Sequence, residues 1–199
     1  PATLPCDHDG VCEPGESCGN CAPDCGAASA WDSPVVFGTF DTVFLEESFS
    51  FTGDGQLVYF ASYRPGGQGR ADIWSSQLGL TGTFGEPTPV LGVNTEVGEM
   101  GVRVSTDGTE LLVVRALHPE APSTTETIFR ATLTLDGNTF VDRGPVVELN
   151  TPGGNNHGPA FSGDDRTVFF SSDRPGGRGL SDVWYATRPS REEPFSAPV

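Results

Sequence analysis

The 199 residues carry 27 acidic and 11 basic side chains, a formal charge of −16, with no lysine. Such a balance disfavours nucleic acid and anionic membrane surfaces, which need a basic face. It leaves cations, a basic partner or a solvated acidic surface, and no stretch is apolar enough to cross a membrane as a helix.

All five cysteines, Cys6, Cys12, Cys18, Cys21 and Cys25, fall within the first 25 residues. A segment that short cannot build a core, so this density reads as a disulfide-rich module, residues 1–26, made in an oxidising compartment. Two bridges leave one thiol over, for a partner upstream or on another chain. The run Gly10-Val11-Cys12-Glu13-Pro14-Gly15-Glu16-Ser17-Cys18, continued by Cys21, Asp24 and Cys25, resembles short modules beside envelope domains of myxobacteria-like bacteria. Cys18 and Cys21 have zinc-ligand spacing, but no second pair or ligand-spaced histidine follows. Asp7, Asp9, Glu16 and Asp24 offer the hard oxygens that calcium takes, without the twelve-residue loop register. Solvated turns are the other reading. Gly15-Glu16-Ser17-Cys18-Gly19 fits a nucleophile elbow only by letter, because the elbow needs a strand before it and a helix after it. The only methionine is Met100 and the chain starts at Pro1, so removal of an upstream export signal is expected.

From residue 27 onward the chain repeats. Tyr63-Arg64-Pro65-Gly66-Gly67-Gln68-Gly69-Arg70-Ala71-Asp72-Ile73-Trp74 returns as Asp173-Arg174-Pro175-Gly176-Gly177-Arg178-Gly179-Leu180-Ser181-Asp182-Val183-Trp184, 110 residues later. A worn copy lies between, with Leu117-His118-Pro119-Glu120 for the turn and Thr127-Ile128-Phe129 for the end. Trp74, Phe129 and Trp184 are spaced by 55 residues (129 − 74 and 184 − 129), the mark of a repeat architecture.

Each period reads as four short antiparallel strands. The first alternates and ends in a turn, at Gly53-Asp54-Gly55, Thr106-Asp107-Gly108 or Gly163-Asp164-Asp165. The second is continuously apolar (Leu57-Val58-Tyr59-Phe60, Leu111-Leu112-Val113-Val114, Val168-Phe169-Phe170), as suits a strand covered on both faces. The Arg-Pro-Gly-Gly turn leads to a third strand ending in Trp or Phe. A fourth, spanning Phe84 to Val90, Phe140 to Val147 or Phe195 to Val199, contains proline and is expected outermost. Four such strands make a propeller blade, and the fold class is an all-β β-propeller behind the cysteine module. The expected blades are 46–90, 99–148 and 156–199, with a lone outer strand at 31–37.

Phe169-Phe170-Ser171-Ser172-Asp173-Arg174-Pro175-Gly176-Gly177 with Ser181-Asp182-Val183-Trp184 resembles the blade signature of TolB-like β-propellers of bacterial cell envelopes, over residues 31–199. The resemblance implies a propeller and carries no activity. The middle copy departs from it, with Ala121-Pro122-Ser123-Thr124-Thr125 in place of Gly-Gly, so a longer loop is expected there. Three periods fall short of the 4–8 blades of a closed ring. Further blades, or a second chain, are expected to cover the open edges.

Catalytic patterns are thin. Of the histidines, His8 lies in the cysteine module and His118 in the insert, so a Ser-His-Asp triad is not supported. Ser105-Thr106-Asp107-Gly108-Thr109 misses the sialidase Asp box by one place, and no carboxylate pair suits a glycosidase. Glu46, Glu47, Glu99, Asn156 and His157 stand just before or at each first strand. If first strands are innermost, these side chains line one mouth of the central channel, a common ligand site; satisfying loops between blades is their other reading. Asp72 and Asp182 are placed to cap amides of the Arg-Pro-Gly-Gly turns. The expectation is an exported, non-catalytic propeller that binds or scaffolds protein at the envelope or outside the cell. Its alternatives are a structural subunit of an extracellular assembly, and a hydrolase or lyase whose catalytic residues lie in other blades.

Overall fold

A computed structural model describes residues 38–117 and 125–199. The cysteine module, the strand expected at 31–37 and the insert around His118 lie outside the described residues.

Eleven strands form three antiparallel sheets among the described residues. The first blade is β1 (Glu46–Phe51), β2 (Leu57–Ser62), β3 (Asp72–Gln77) and β4 (Thr88–Pro89). The second is β5 (Gly98–Val104), β6 (Glu110–Leu117), β7 (Thr125–Leu133) and β8 (Phe140–Pro145). The third is β9 (Asn156–Phe161), β10 (Thr167–Ser172) and β11 (Asp182–Thr187). Within each sheet the strands lie in chain order, joined by hairpins. β5 packs on β1, β2 and β3, and β9 packs on β5, β6 and β7, whereas β4 and β8 touch no strand of another blade. First strands are therefore innermost and the sheets stack face to face, which is the arrangement of propeller blades.

The outer strands are shorter than their sequence spans, for want of donors. Pro87 and Pro89 leave the first blade with a two-residue β4 and an isolated bridge between Leu78 and Phe84. In the third blade, Phe195–Val199 is no regular strand, yet it runs beside β11. Tyr185 and Val199 exchange N–H···O bonds of 3.0 and 2.9 Å, and Ser196 N donates to Thr187 O at 2.7 Å.

Each blade is held by the chemistry of its turn. Gly66 and Gly176 take φ of 106° and 105°, as the turn demands. Gly67 and Gly177 let Asp72 and Asp182 approach so closely that any Cβ there would collide with the carboxylate. Asp72 then accepts from Gln68 N (2.9 Å) and Gly69 N, and Asp182 from Arg178 N (2.8 Å) and Gly179 N (2.9 Å). Arg64 lies over the rings of Phe60 and Trp74, and Arg174 over Phe170 and Trp184, at 4.8–5.4 Å. The second blade lost that turn, and Arg115 of β6 supplies the guanidinium instead, 4.3 Å from the centre of Phe129.

Two apolar cores fill the blade interfaces. Tyr59, Ala61 and Ile73 meet Val102, Val104, Leu111 and Val113 between the first and second blades. Leu112, Val114 and Ile128 meet Val168, Phe170 and Ala186 between the second and third. An asparagine after each of the first two blades extends the pairing. Asn94 bonds the amide and carbonyl of Ile73 at 2.7 and 3.0 Å, and Asn150 those of Ile128 at 2.9 and 2.8 Å.

Candidate functional site

The residues expected at a channel mouth are related by register. Glu46 pairs across from Ser62, Glu99 from Arg115 and Asn156 from Ser172, so the three occupy one position in successive blades. Each is bound inside its own blade. Glu46 accepts from Ser62 Oγ (3.1 Å) and Arg64 Nη2 (3.3 Å). Glu99, fully buried, accepts from Arg115 Nε at 3.0 Å and from Thr95 Oγ1 at 2.6 Å. Burial pushes the Glu99 carboxyl up, against the pull of Thr95 and Arg115. Asn156 accepts from Ser172 Oγ (2.8 Å) and Arg174 Nη2 (3.2 Å). Each group ties the first strand to the arginine beneath the blade's aromatic ring.

One residue further on, Glu47 and His157 are half-buried and have no hydrogen-bond partner among the described residues. They line one depression of about 180 Å³ with Ser48, Met100, Arg103 and Glu126. Every first strand carries an extra residue here, a bulge that turns its side chains toward the axis. Ser48 adopts φ 60°, as does Gly158, its equivalent 110 residues on. Ser48 Oγ accepts from Val102 N at 3.0 Å, which fixes that conformation and stitches the first blade to the second. Among the described residues it is the only hydroxyl lining the depression, and it is engaged. The arrangement presents two carboxylates, Glu47 and Glu126, and an imidazole to a ligand, while Arg103 Nη1 already donates to Phe49 O at 2.9 Å. No group of three or more His, Cys, Asp or Glu among the described residues is placed to hold a metal ion. The calcium candidates Asp7, Asp9, Glu16 and Asp24, and the five cysteines, lie outside the described residues.

A second candidate surface is the far side of the third blade, one of the open edges that three periods leave to be covered. Residues 59, 61 and 73 face the second blade and are buried, as are their counterparts Leu112, Val114 and Ile128 at the next interface. The same positions in the third blade are Phe169, Ser171 and Val183. Phe169 is 46% exposed, Val183 75% and the neighbouring Tyr185 43%. Phe169 and Tyr185 stack obliquely, 5.8 Å apart, as an apolar ridge without a cover among the described residues.

The chain matches no protein-family model and no curated protein. It is similar to the crystal structure of TolB from Acinetobacter baumannii, at 17% identity and a TM-score of 0.44, over 77% of this chain and 34% of that one. Prolyl oligopeptidase B from Galerina marginata aligns at 16% identity and 0.47, over 77% of this chain and 21% of the peptidase. A putative TolB from Agrobacterium tumefaciens aligns at 16% and 0.34, over 75% and 60%. In each case the chain spans less than two thirds of the matched protein. The propeller assignment rests on the sheets themselves, and no activity follows from these likenesses.

Proposed function

We propose that this chain is an exported propeller module that binds or scaffolds other proteins at the cell envelope or outside the cell, and performs no chemistry of its own. The reading is carried by the bare face of the third blade. A surface made of Phe169 and Val183, in positions buried at both other interfaces, with Tyr185 beside them, is fitted to receive protein, either a further blade of a longer chain or a neighbouring copy. At the channel mouth, three of five polar candidates are tied up within their blades, which suits a rigid platform. Glu47 and His157 remain for a ligand. The cysteine-rich segment supports export, because bridges among five clustered thiols require an oxidising compartment. No helix among the described residues is long and apolar enough to cross a membrane.

Light scattering on the 199-residue chain, with and without Val183→Asp, tests the reading. Association through this face should appear at micromolar concentration and be lost in the aspartate variant. A stable monomer that keeps the face bare would refute it.

A further inference from the structure

The repeat allows the two blade interfaces to be compared position by position. β2 begins at Leu57 where β6 begins at Glu110, and the backbone bonds Leu78 N to Gln56 O, Leu133 N to Thr109 O and Arg188 N to Arg166 O are one bond repeated. Glu110 and Leu57 are thus equivalent, as are Arg188 and Leu133. Between the second and third blades this end is sealed by ions. Arg188 grips the Glu110 carboxylate with both terminal nitrogens, at 2.9 and 2.8 Å, and both residues are 2% exposed. Arg191 closes the gap beyond, bound to Asp107 at 2.5 Å and to Asp165.

Between the first and second blades no such seal exists. Leu57 and Leu133 pack on the core, and a cleft of about 1110 Å³ remains beside them, floored by these leucines, Val90 and Phe140. Tyr59 also lines it. The residue is 4% exposed, its ring is edge-on to Phe140 at 6.0 Å, and its hydroxyl has no hydrogen-bond partner among the described residues. The oxygen is not sealed in the core; it opens on the cleft, where solvent or a ligand can reach it. The repeat does not call for a hydroxyl here, since the second blade has Leu112 in the same place. Burial pushes the Tyr59 phenol up to about 12, so it stays neutral at physiological pH. The rim carries Asp54, Asp107, Asp164 and Asp165 against Arg191 alone, a formal charge of −3 (four negative, one positive). Asp54 uses one carboxylate oxygen to hold its turn, through Thr52 Oγ1 and Gln56 N, and the other has no partner among the described residues.

We infer that this interblade cleft is a binding site for an amphipathic organic cation, a guanidinium or amidinium group on an apolar body. The body lies on Leu57, Leu133 and Phe140, and covering the half-buried leucines removes further apolar surface from water. The head meets Asp54 and Asp164, the rim carboxylates outside the Arg191 pairs, and Tyr59 Oη accepts one of its N–H groups. The site stands apart from the channel mouth and from the bare face of the third blade, and does not depend on the proposed scaffold role.

The test is isothermal titration of the 199-residue chain with N-acetyl-phenylalanyl-arginine amide, its citrulline counterpart and benzamidine. The arginine peptide should bind, and the uncharged citrulline peptide should bind about tenfold more weakly, a difference that shrinks as salt screens the rim. Binding of benzamidine at comparable strength identifies a free small cation as the ligand; binding of the peptide alone identifies a basic peptide segment. Tyr59→Phe keeps the ring and removes only the hydroxyl, so it should weaken binding about three- to tenfold with an unchanged denaturation midpoint. Leu57→Glu with Leu133→Arg imports the seal of the other interface and should abolish binding. Asp54→Asn, at an exposed turn, should weaken binding about threefold and gives a rim readout independent of that repacking. Equal affinity for the arginine and citrulline peptides, unaltered binding by Tyr59→Phe, or no heat with either cation at millimolar concentration would each overturn the assignment.

Discussion

Arg188 anchors the third blade to the second, and its replacement by leucine gives a sharp test of how the interface is held. The guanidinium is fully enclosed. Besides Glu110 it donates to the carbonyl of Asp165 (3.1 and 2.9 Å) and to that of Arg191 (3.3 Å), and it lies 4.6 Å from the centre of the Phe195 ring. Removing one partner of a buried ion pair leaves the other charged and unsolvated, at about 3–5 kcal/mol. Glu110 keeps one neighbour, since Arg130 Nε lies 2.9 Å from its Oε1, off the line of its N–H. The lower end of the range, about 3 kcal/mol, is therefore expected. With a urea m-value of about 2 kcal/mol/M, the unfolding midpoint should fall by about 1.5 M. Glu110→Leu alone should cost a similar amount, because Arg188 is then the orphan. The double variant is the informative one, since Leu57 and Leu133 already fill these two positions at the neighbouring interface. It should return to within about 2 kcal/mol of the parent, the remainder reflecting the unbonded carbonyls of Asp165 and Arg191. Urea unfolding of all four proteins yields the coupling energy directly. A double variant as unstable as the sum of the two singles would show that the interface needs the ion pair itself, and the repeat-based reasoning would fail.

Trp74→Ala should destabilise the first blade by about 3–5 kcal/mol in the same assay. Trp74→Phe should cost much less, because it also removes an indole N–H that is buried without an acceptor. Burial works to raise the Asp107 carboxyl, but bonds from Arg191, Thr109 and Ser105 outweigh it and hold the group well below the ordinary 3.8. A depressed carboxylate stabilises the fold above its unfolded value and loses that contribution as the pH falls below it. The melting temperature should therefore drop with acidification from about pH 4 downward, and Asp107→Asn should flatten that slope, read by thermal melts from pH 5 to 2. In the cysteine-rich segment, thiol titration of the denatured, unreduced chain should find at most one free thiol of five. Five reactive thiols would overturn both the bridges and the oxidising compartment.

Much of the fold is written in local patterns. Period-2 alternation, apolar runs, proline in the outer strands and the Arg-Pro-Gly-Gly turn act through backbone dihedrals and nearest neighbours, so the blade and its strand order follow from the residues alone. The 55-residue spacing places Trp74, Phe129 and Trp184 on equivalent third strands, and the Asp72 and Asp182 caps lie within four residues of the amides that donate to them. The candidate channel residues were legible as a set for the same reason, since Glu46, Glu99 and Asn156 share a register position.

What each of them does was not legible, because their partners arrive from elsewhere in space. Nothing in the string separates Glu46, held by Arg64, from Glu47, left without a partner among the described residues. The two stand in unbroken register opposite Ser62 and Ala61, and only the position of the Arg64 side chain in the folded blade separates them. Arg115 reads as one more residue of an apolar strand until the sheet sets it over Phe129. Glu110 and Arg188 stand 78 positions apart, and only the packing of two blades joins them. The chain by itself determined repeated blades, their turns and the positions that face inward, because these depend on short-range geometry. Tertiary structure alone decided which interface is sealed by ions and which keeps a cleft around a lone tyrosine hydroxyl, because those outcomes depend on desolvation and contact between side chains distant in sequence.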